Sequence, residues 1–593
     1  MGTESGQKYL DEIAADKSKV VSTTTSLFDG EGRKKSQSTV LVELSARLKL
    51  FHDADSACYV IIQKLTHREV WPVQSRAFKN WLSHEYFVIS GQGARGASVT
   101  DALATVEARA QHQSEQREVF QRVAWLGDKI VIDLADDAWR VVEIDADGWR
   151  ILNRSPVMFT RRAGMAPLPA PVTGCLSDIG QFINIHPADK PLIIGWLLMA
   201  ARGRGPYPIL IFNGEQGTGK SVTTRALRSV IDPSTVPLRG LTRDVRDLLV
   251  TATNNHVIVS DNLSGLSAEL SDVFCRLSTG GGFAERQLYS NRDEVLVNIQ
   301  RPIILNGIDE VASRGDLMER SLIIHLPLIK ETAREPESAF WKRFDTALPG
   351  ILGGLCDALS CAIKNQHSVE LARKPRMADF ALWVTAAESA LEWKPGTFMQ
   401  AYSANQDAGV EVALEASPFG ETLLKFMTSS CKSWHGTATD LLNELERIAH
   451  DRAVRSQSWP KSGKGAASTL RRLSPLFRRM GITIDQQHRE AGTGRRIVMI
   501  DSSGFPSSQP SHSHKQSNGA DSSCDCSVTE TDPLATTVTL SSHSNHSTGT
   551  ACDECDDRDA KNCHPPKTDK RPILGGIPAP MPISETESSH LRI

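Results

Sequence analysis

The fold of this chain is decided by the stretch Pro208-Ile-Leu-Ile-Phe-Asn-Gly-Glu-Gln-Gly-Thr-Gly-Lys-Ser-Val-Thr-Thr-Arg-Ala-Leu227. A short apolar run leads into a glycine-rich loop, and a helical pattern follows the loop. The loop fits the pattern G-x-x-x-x-G-K-[ST], which binds phosphates when it lies between a strand and a helix. Its glycines allow backbone N–H groups to surround phosphate oxygens, and the helix N-terminus adds partial positive charge. The sequence therefore predicts a nucleoside triphosphate site, with ATP as the default ligand.

The residues of this loop have separate expected roles. The Lys220 ammonium is expected to reach the β- and γ-phosphates, and the Ser221 hydroxyl is expected to hold Mg²⁺. A glycine-rich turn with a chance lysine is the alternative, and the flanking strand and helix argue against it. The residues expected to contact the nucleotide are Gly214, Glu215, Gln216, Gly217, Thr218, Gly219, Lys220, Ser221 and Val222.

The length and composition of the chain limit what kind of protein it is. At 593 residues it is too long for one hydrophobic core, and a prior of about 150 residues per domain suggests several domains. The formal net charge of −3 gives no whole-chain signal for nucleic acid, so local charge matters more. No segment reaches the roughly 18 uninterrupted apolar residues of a membrane span, and the first residues show no signal-peptide pattern. We expect a cytoplasmic protein that does not bind a membrane.

The composition changes along the chain and suggests its domain boundaries. Both ends are polar, a proline-rich run at 166–172 has the composition of a linker, and apolar periodicity fills the regions between. These features predict a disordered leader at 1–38, an accessory α+β domain at 40–165, a linker at 166–189, an α/β domain with a parallel sheet at 190–335, a helical connector at 336–428, a basic domain at 431–501 and a disordered tail at 502–593.

Two further apolar runs end in polar residues. Asp261 follows the run at 256–260, and Asn306 follows the run at 301–305. Because open α/β sheets bind ligands at the carboxyl ends of their strands, both side chains are expected near the phosphate loop. Asp261 is expected beside Mg²⁺, and Asn306 near the γ-phosphate or its attacking water. An ordinary strand that ends in an N-cap aspartate is the alternative for Asp261.

Two positions bear on hydrolysis. Many P-loop ATPases carry a glutamate directly after the Mg²⁺ aspartate, whereas this chain has Asn262, which can orient water but cannot take its proton.

Phosphoryl transfer is also accelerated by an arginine that a neighbouring copy of the chain supplies. Arg320 is the first candidate for that role and Arg314 the second. The alternative for Arg320 is a surface ion pair with Glu319 or Asp316.

A glycine-led segment at 278–295 suggests a projecting hairpin. Arg286 and Arg292 could meet phosphates, and Tyr289 could stack on a base. A solvated loop of mixed charge is the alternative.

The order of these motifs resembles that of superfamily-3 helicases. It is most similar to the poxvirus-type primase-helicases of phages, prophages and integrative elements, which are AAA+ P-loop ATPases, over roughly residues 190–500. The resemblance implies a hexameric ring that hydrolyses ATP with Mg²⁺ and translocates on single-stranded DNA from 3′ to 5′ in DNA replication. It implies that Lys220, Asp261, Asn306 and Arg320 are catalytic, with Arg320 acting on the ATP of the neighbouring copy. The hairpin then matches the family's DNA-gripping loop.

The C-terminal domain is strongly basic. Residues 431–500 hold 13 Lys and Arg against 6 Asp and Glu, and the pattern predicts two helices, the first starting near Trp434, followed by a β-hairpin. This arrangement is typical of a winged-helix domain, which places its second helix in the major groove of duplex DNA. Arg471, Arg472 and Arg478 on that helix are the expected DNA contacts. A basic protein-docking domain is the alternative.

The sequence is also compatible with other functions. The chain could be a DNA-binding ATPase switch, such as a replication initiator or a transposition or defence regulator, that does not unwind DNA. A metabolic P-loop kinase is a weaker hypothesis because it leaves the basic domain unexplained. Zinc binding by the tail cysteines is weakly supported, because Cys524 and Cys526 are separated by one residue and no small core surrounds them.

Overall fold

The computed structural model describes residues 25–504 except 65, 243, 287–293, 298, 308–313, 416, 430–431 and 491–493. The chain divides into two compact units, Met1–Gln509 and Pro510–Ile593, and the described residues belong to the first. Most of the predicted leader and nearly all of the predicted tail, with its cysteines, lie outside the described residues.

The described part of the first unit contains both helices and strands. Its α-helices are α1 (Gln37–Ala46), α2 (Arg76–Ser90), α3 (Gly96–Gln113), α4 (Lys190–Ala200), α5 (Lys220–Ile231), α6 (Val245–Asn254), α7 (Ala268–Thr279), α8 (Gly315–Met318), α9 (Glu337–Asn365), α10 (Ala378–Ala387), α11 (Thr397–Glu415), α12 (Pro418–Ser429), α13 (Ala438–Ile448), α14 (Asp451–Arg455) and α15 (Gly463–Arg479).

The strands fall into several sheets. They are β1 (Lys49–His52), β2 (Cys58–Gln63), β3 (Arg68–Pro72), β4 (Glu115–Gln116), β5 (Val119–Phe120), β6 (Val123–Leu126), β7 (Lys129–Asp133), β8 (Val141–Asp145), β9 (Gly148–Leu152), β10 (Met158–Phe159), β11 (Ile209–Asn213), β12 (Ile258–Leu263), β13 (Phe283–Arg286), β14 (Glu294–Val297), β15 (Ile303–Gly307), β16 (Ser321–His325), β17 (Ser433–Gly436), β18 (Thr483–Asp485) and β19 (Val498–Asp501).

The N-terminal part is mixed α and β, as predicted, and holds two four-stranded sheets and the short parallel pair β10-β5. The first has the strand order β3-β2-β1-β4, and helices α1 to α3 share a core with it that includes Leu41, Val60 and Phe78. The second is the antiparallel meander β6-β7-β8-β9, whose apolar residues pack in the same core as α4 and α9.

The sheet that positions the site is parallel, as expected for an α/β core. Its strand order is β12-β15-β11-β16, and all three pairings are parallel. The strand that ends near Asn306 therefore lies between the strand that carries Asp261 and the strand that leads into the glycine loop. Because all four strands run the same way, their carboxyl ends meet at one edge of the sheet.

Helix α9 is the one helix in the described part of the chain that is long and apolar enough to cross a membrane. Its most apolar window is 61% buried by the rest of the protein, so it packs as a core helix here. Leu355 and Leu359 of α9 lie in the same core as Trp196 and Phe380, which are on α4 and α10. The helical region predicted after the sheet is thus built around α9.

The C-terminal part combines helices α13 to α15 with the antiparallel sheet β17-β19-β18. The sequence predicted a helix starting near Trp434, but residues 433–436 form strand β17, with Trp434 opposite Ile500. The helix begins later because Thr437 and Asp440 form a capping box in which each side chain accepts the other's backbone N–H. Helix α15 ends before Gly481, whose φ of 83° is the left-handed conformation expected of a helix terminator.

Candidate nucleotide site and nucleic-acid surface

The glycine loop connects β11 to α5, as its pattern requires. Gly219 precedes the first residue of α5 with a φ of 81°, and Gly217 has a φ of 86°. Both are left-handed conformations that side-chain-bearing residues adopt at a cost, which explains glycine at these two positions. Thr218, which lies between them, is buried, and its hydroxyl donates to the carbonyl of Glu215 at a distance of 3.0 Å. The loop is therefore held in a tight turn by its own residues.

Lys220 lies at the first position of α5 and folds over the loop. Its Nζ donates to the carbonyl oxygens of Gly214 at 2.7 Å and Glu215 at 2.8 Å. Partial burial lowers the pKa of the Lys220 ammonium, and the nearby Asp261 carboxylate opposes that shift. Two neutral carbonyl oxygens thus hold the ammonium against the loop. A negatively charged acceptor such as a phosphate could replace them, because hydrogen bonds between charged groups are stronger.

Ser221 and Asp261 are in direct contact. The Ser221 hydroxyl lies 3.1 Å from one carboxylate oxygen of Asp261 and 3.3 Å from the other. Within the described residues, no group of three or more His, Cys, Asp or Glu side chains could hold a metal ion. A hydroxyl and one carboxylate fit Mg²⁺, because this ion takes one or two carboxylates from proteins and completes its shell with phosphate oxygens and water.

Asn306 is buried at the end of β15 and bridges two elements of the site. Its Oδ1 accepts from the backbone N–H of Asn262 at 2.8 Å, and its Nδ2 donates to the Thr224 hydroxyl on α5 at 3.1 Å. Asn262 itself has a φ of 59°, so the chain makes a left-handed turn directly after Asp261. Asn306 therefore holds this turn against the helix that follows the phosphate loop.

A segment that follows β16 also borders the loop, although it carries no motif from which this position could be predicted. A side chain at Gly219 would come within 3.0 Å of Ile329, and one at Gly217 within 3.7 Å of the Arg334 guanidinium. From the region predicted as a linker, Asn184 donates to the carbonyls of Thr218 at 2.9 Å and of Pro327 at 2.5 Å. Asn184 thereby joins the loop to this segment.

Arg320 lies away from these residues. It directly precedes β16, so it is at the amino edge of the sheet, opposite the loop. Its Nη1 donates to the carbonyl of Asp316 at 2.7 Å, and its Nε is buried without a partner among the described residues. The second candidate, Arg314, pairs with Asp272 at 3.0 Å. The structure thus brings Lys220, Ser221, Asp261 and Asn306 together and leaves both arginines apart from them.

The predicted DNA contacts divide into two groups. Tyr289 and Arg292 lie outside the described residues, and Arg286 is the last residue of β13, which pairs with β14 as an antiparallel hairpin. Arg471, Arg472 and Arg478 are exposed on α15, whose other face is buried against the C-terminal core.

Comparison with known families relates most of the described chain to one kind of protein. Residues 178–409 match the family model described as the actinomycete integrative conjugative element replication protein. Residues 419–514 match the model of the C-terminal domain of RepA from the same elements. The part with the phosphate loop and the basic part are therefore each similar to a part of a mobile-element replication protein. No curated protein matches the chain.

Solved structures also match, at low similarity. The apo A form of the NrS-1 C-terminal region is 12% identical, with 79% of this chain and 100% of that chain covered, at a TM-score of 0.35. The JCV helicase is 16% identical, with 40% of this chain and 64% of that chain covered, at a TM-score of 0.21. At these scores the likeness carries no argument about fold or activity.

Proposed function

We propose that the chain is an ATP-dependent DNA helicase of the AAA+ class that serves the replication of an integrative or phage-like element in the cytoplasm. The observation that carries this proposal is the contact of Ser221 on the phosphate loop with Asp261 at the end of a neighbouring strand. Similarity to replication proteins of conjugative elements supports the biological role.

The described residues suggest a division of work in ATP hydrolysis. Lys220 would exchange its two carbonyl partners for the β- and γ-phosphates, which are stronger acceptors. Ser221 and Asp261 would hold Mg²⁺, which neutralises charge that develops on the phosphates. Asn262 and Asn306 are adjacent at the strand ends, where they would orient the attacking water.

Arg320 can act only on the ATP of a second copy of the chain. Arg320 lies at one end of strand β16 and the phosphate loop lies beside the other end. The five residues of this strand span roughly 15 Å at the usual rise per residue. We therefore propose a homo-oligomeric ring, hexameric by resemblance, in which Arg320 contacts the neighbour's γ-phosphate. Among the described residues, the buried Nε of Arg320 has no hydrogen-bond partner, whereas its Nη1 contacts the carbonyl and the carboxylate of Asp316.

The C-terminal part would bind DNA as a winged helix. Helix α15 presents Arg471, Arg472 and Arg478 to solvent, and the sheet β17-β19-β18 stands beside it. In this arrangement α15 would enter the major groove of duplex DNA while the hairpin β13–β14 grips a single strand in the ring.

The test measures ATP turnover with and without single-stranded DNA, and strand separation on a forked duplex. DNA-stimulated turnover and ATP-dependent unwinding are expected, and Lys220→Ala should abolish both. An ATP turnover rate that is the same with and without DNA, together with an absence of unwinding, would contradict the helicase proposal.

Mixing two inactive variants tests whether the chain forms a ring. Lys220→Ala and Arg320→Ala proteins, each inactive alone, should recover part of the turnover when mixed, because intact sites form at some interfaces.

A DNA-binding ATPase switch is the second candidate, and Asn262 is the observation that favours it. Without an acid at this position hydrolysis would be slow, and ATP occupancy could control assembly on DNA instead. ATP-dependent assembly on duplex DNA without strand separation would favour the switch, whereas unwinding that Arg286→Ala abolishes would favour the helicase.

A further inference from the structure

A basic groove lies on the side of the protein that carries Arg320. It has a volume of about 370 Å³ and is bordered by the segment between α9 and α10, by α11 and by the end of α15. Its charged residues are the cations Arg373, Lys374, Arg376 and Arg479 and the acids Glu319 and Asp407.

Internal ion pairs neutralise only half of the positive charge. Arg376 pairs with Glu319, and Arg479 pairs with Asp407 at 3.5 Å. Arg373 and Lys374 are exposed, and neither forms a hydrogen bond or an ion pair with a side chain that the structure describes. The groove thus holds two adjacent cations that lack a counter-charge from the described protein, which is the chemistry that attracts a polyanion.

The groove continues from the basic face of α15. Arg472 and Arg479 are seven residues apart, so they lie on one face of the helix about 10 Å apart along its axis. Arg472 faces solvent, while Arg479 closes one wall of the groove and donates to Gln406 at 3.0 Å. A polyanion that runs along α15 past Arg472 would reach Arg479 and then the cations beyond it.

We propose that this groove binds the phosphodiester backbone of DNA that extends beyond the segment held by α15, with Arg373 and Lys374 as its phosphate contacts. The inference rests on the proposed DNA-binding function and adds a second contact surface to it. Gln406 also donates to the carbonyl of Ser321, the residue after Arg320, at 2.9 Å. DNA in the groove would therefore lie beside the edge of the sheet that faces the neighbour's ATP.

Salt dependence of DNA binding tests the groove directly. In full-length protein, Arg373→Gln with Lys374→Gln should weaken binding of duplex DNA about tenfold near 0.1 M salt. The same change should reduce the slope of log affinity against log salt by about 1.8, because two phosphate contacts with duplex DNA are lost. Arg373→Lys with Lys374→Arg should restore both values, since a phosphate contact needs charge rather than one side chain.

The matched control is Arg76→Gln with Lys79→Gln, an exposed pair on α2 that removes the same charge elsewhere. It should leave the salt slope of DNA binding unchanged, and thermal unfolding should show that both double variants stay folded.

If the wild-type protein binds DNA but the groove variant has an unchanged salt slope, the groove proposal is overturned and the proposed function is not. A loss of DNA-free ATP turnover with normal DNA affinity would also overturn it, because the groove would then serve the neighbour's triphosphate. Wild-type protein that neither binds DNA nor hydrolyses ATP would overturn the proposed function and this inference together.

Discussion

The hydroxyl of Ser221 donates to the carboxylate of Asp261, with both oxygens within 3.3 Å, although the residues are 40 positions apart in the chain. Ser221 is placed by the loop before α5, and Asp261 by strand β12, which is not even the neighbour of the loop's own strand. A contact that depends on two separate elements in this way is the kind of arrangement that a shared metal ion requires.

Replacing Asp261 with Asn should therefore act through Mg²⁺. The amide keeps the size of the side chain but removes the negative charge, so we expect ATP turnover to fall by about two orders of magnitude and to need more Mg²⁺. Turnover measured across a Mg²⁺ titration checks this. Asp137→Asn, at an exposed carboxylate in the turn between β7 and β8, is the control. If both variants keep the wild-type Mg²⁺ dependence, Asp261 is not a metal ligand.

Asn262 offers a separate test of whether the missing glutamate limits the proposed hydrolysis. Its φ of 59° is tolerated by Asn, Asp and Gly, so three side chains can be compared on one backbone. Asn262→Asp should raise the single-turnover rate of hydrolysis if the lack of a base limits it, and Asn262→Gly should lower that rate by removing the water-orienting amide. Equal rates for all three proteins would show that this side chain takes no part in hydrolysis.

Arg334 is expected to add a second positive charge at the phosphate loop of its own chain. Its guanidinium borders Gly217, it is exposed, and it makes no ion pair among the described residues. Arg334→Gln should raise the KM for ATP about tenfold, the effect of losing one charge-assisted hydrogen bond, with little change in thermal stability. Lys330→Gln, an exposed cation on the same segment, should change neither value. Equal KM values in the two variants would place Arg334 outside the nucleotide site.

The candidate site could be predicted best where its residues belong to short, contiguous sequence motifs. The phosphate loop, Asp261 and Asn306 could be predicted because each follows an apolar strand, and parallel strands end at one edge. Asn184 and Arg334 could not be predicted, because they reach the loop from segments that have no motif and are distant in sequence. The sequence predicts a helix where strand β17 lies, and this prediction is wrong for a related reason. Residues 433–436 become a strand only by pairing with β19, a partner far along the chain.

A buried histidine behind the site gives a prediction for pH. His256 precedes β12, its Nε2 donates to the carbonyl of Ala200 at 2.8 Å, and its backbone N–H donates to Asp232 at 3.0 Å. Burial lowers the pKa of His256 to about 4, with Arg301 and Arg122 adding to that effect and Asp232 opposing it.

The direction of the effect on stability follows from this lowered pKa. As the pH falls below about 6.5, the ordinary pKa of histidine, His256 becomes protonated in the unfolded chain. In the folded protein its imidazole stays neutral until about pH 4. His256 should therefore cost about 2 kcal/mol of unfolding free energy between pH 7 and pH 5. His256→Gln, which can still donate to Ala200, should remove that part of the pH dependence in urea unfolding. His84→Gln, at an exposed histidine on α2, should leave it intact. A wild-type pH profile in the His256 variant would mean that this imidazole is charged in the folded protein or reaches solvent.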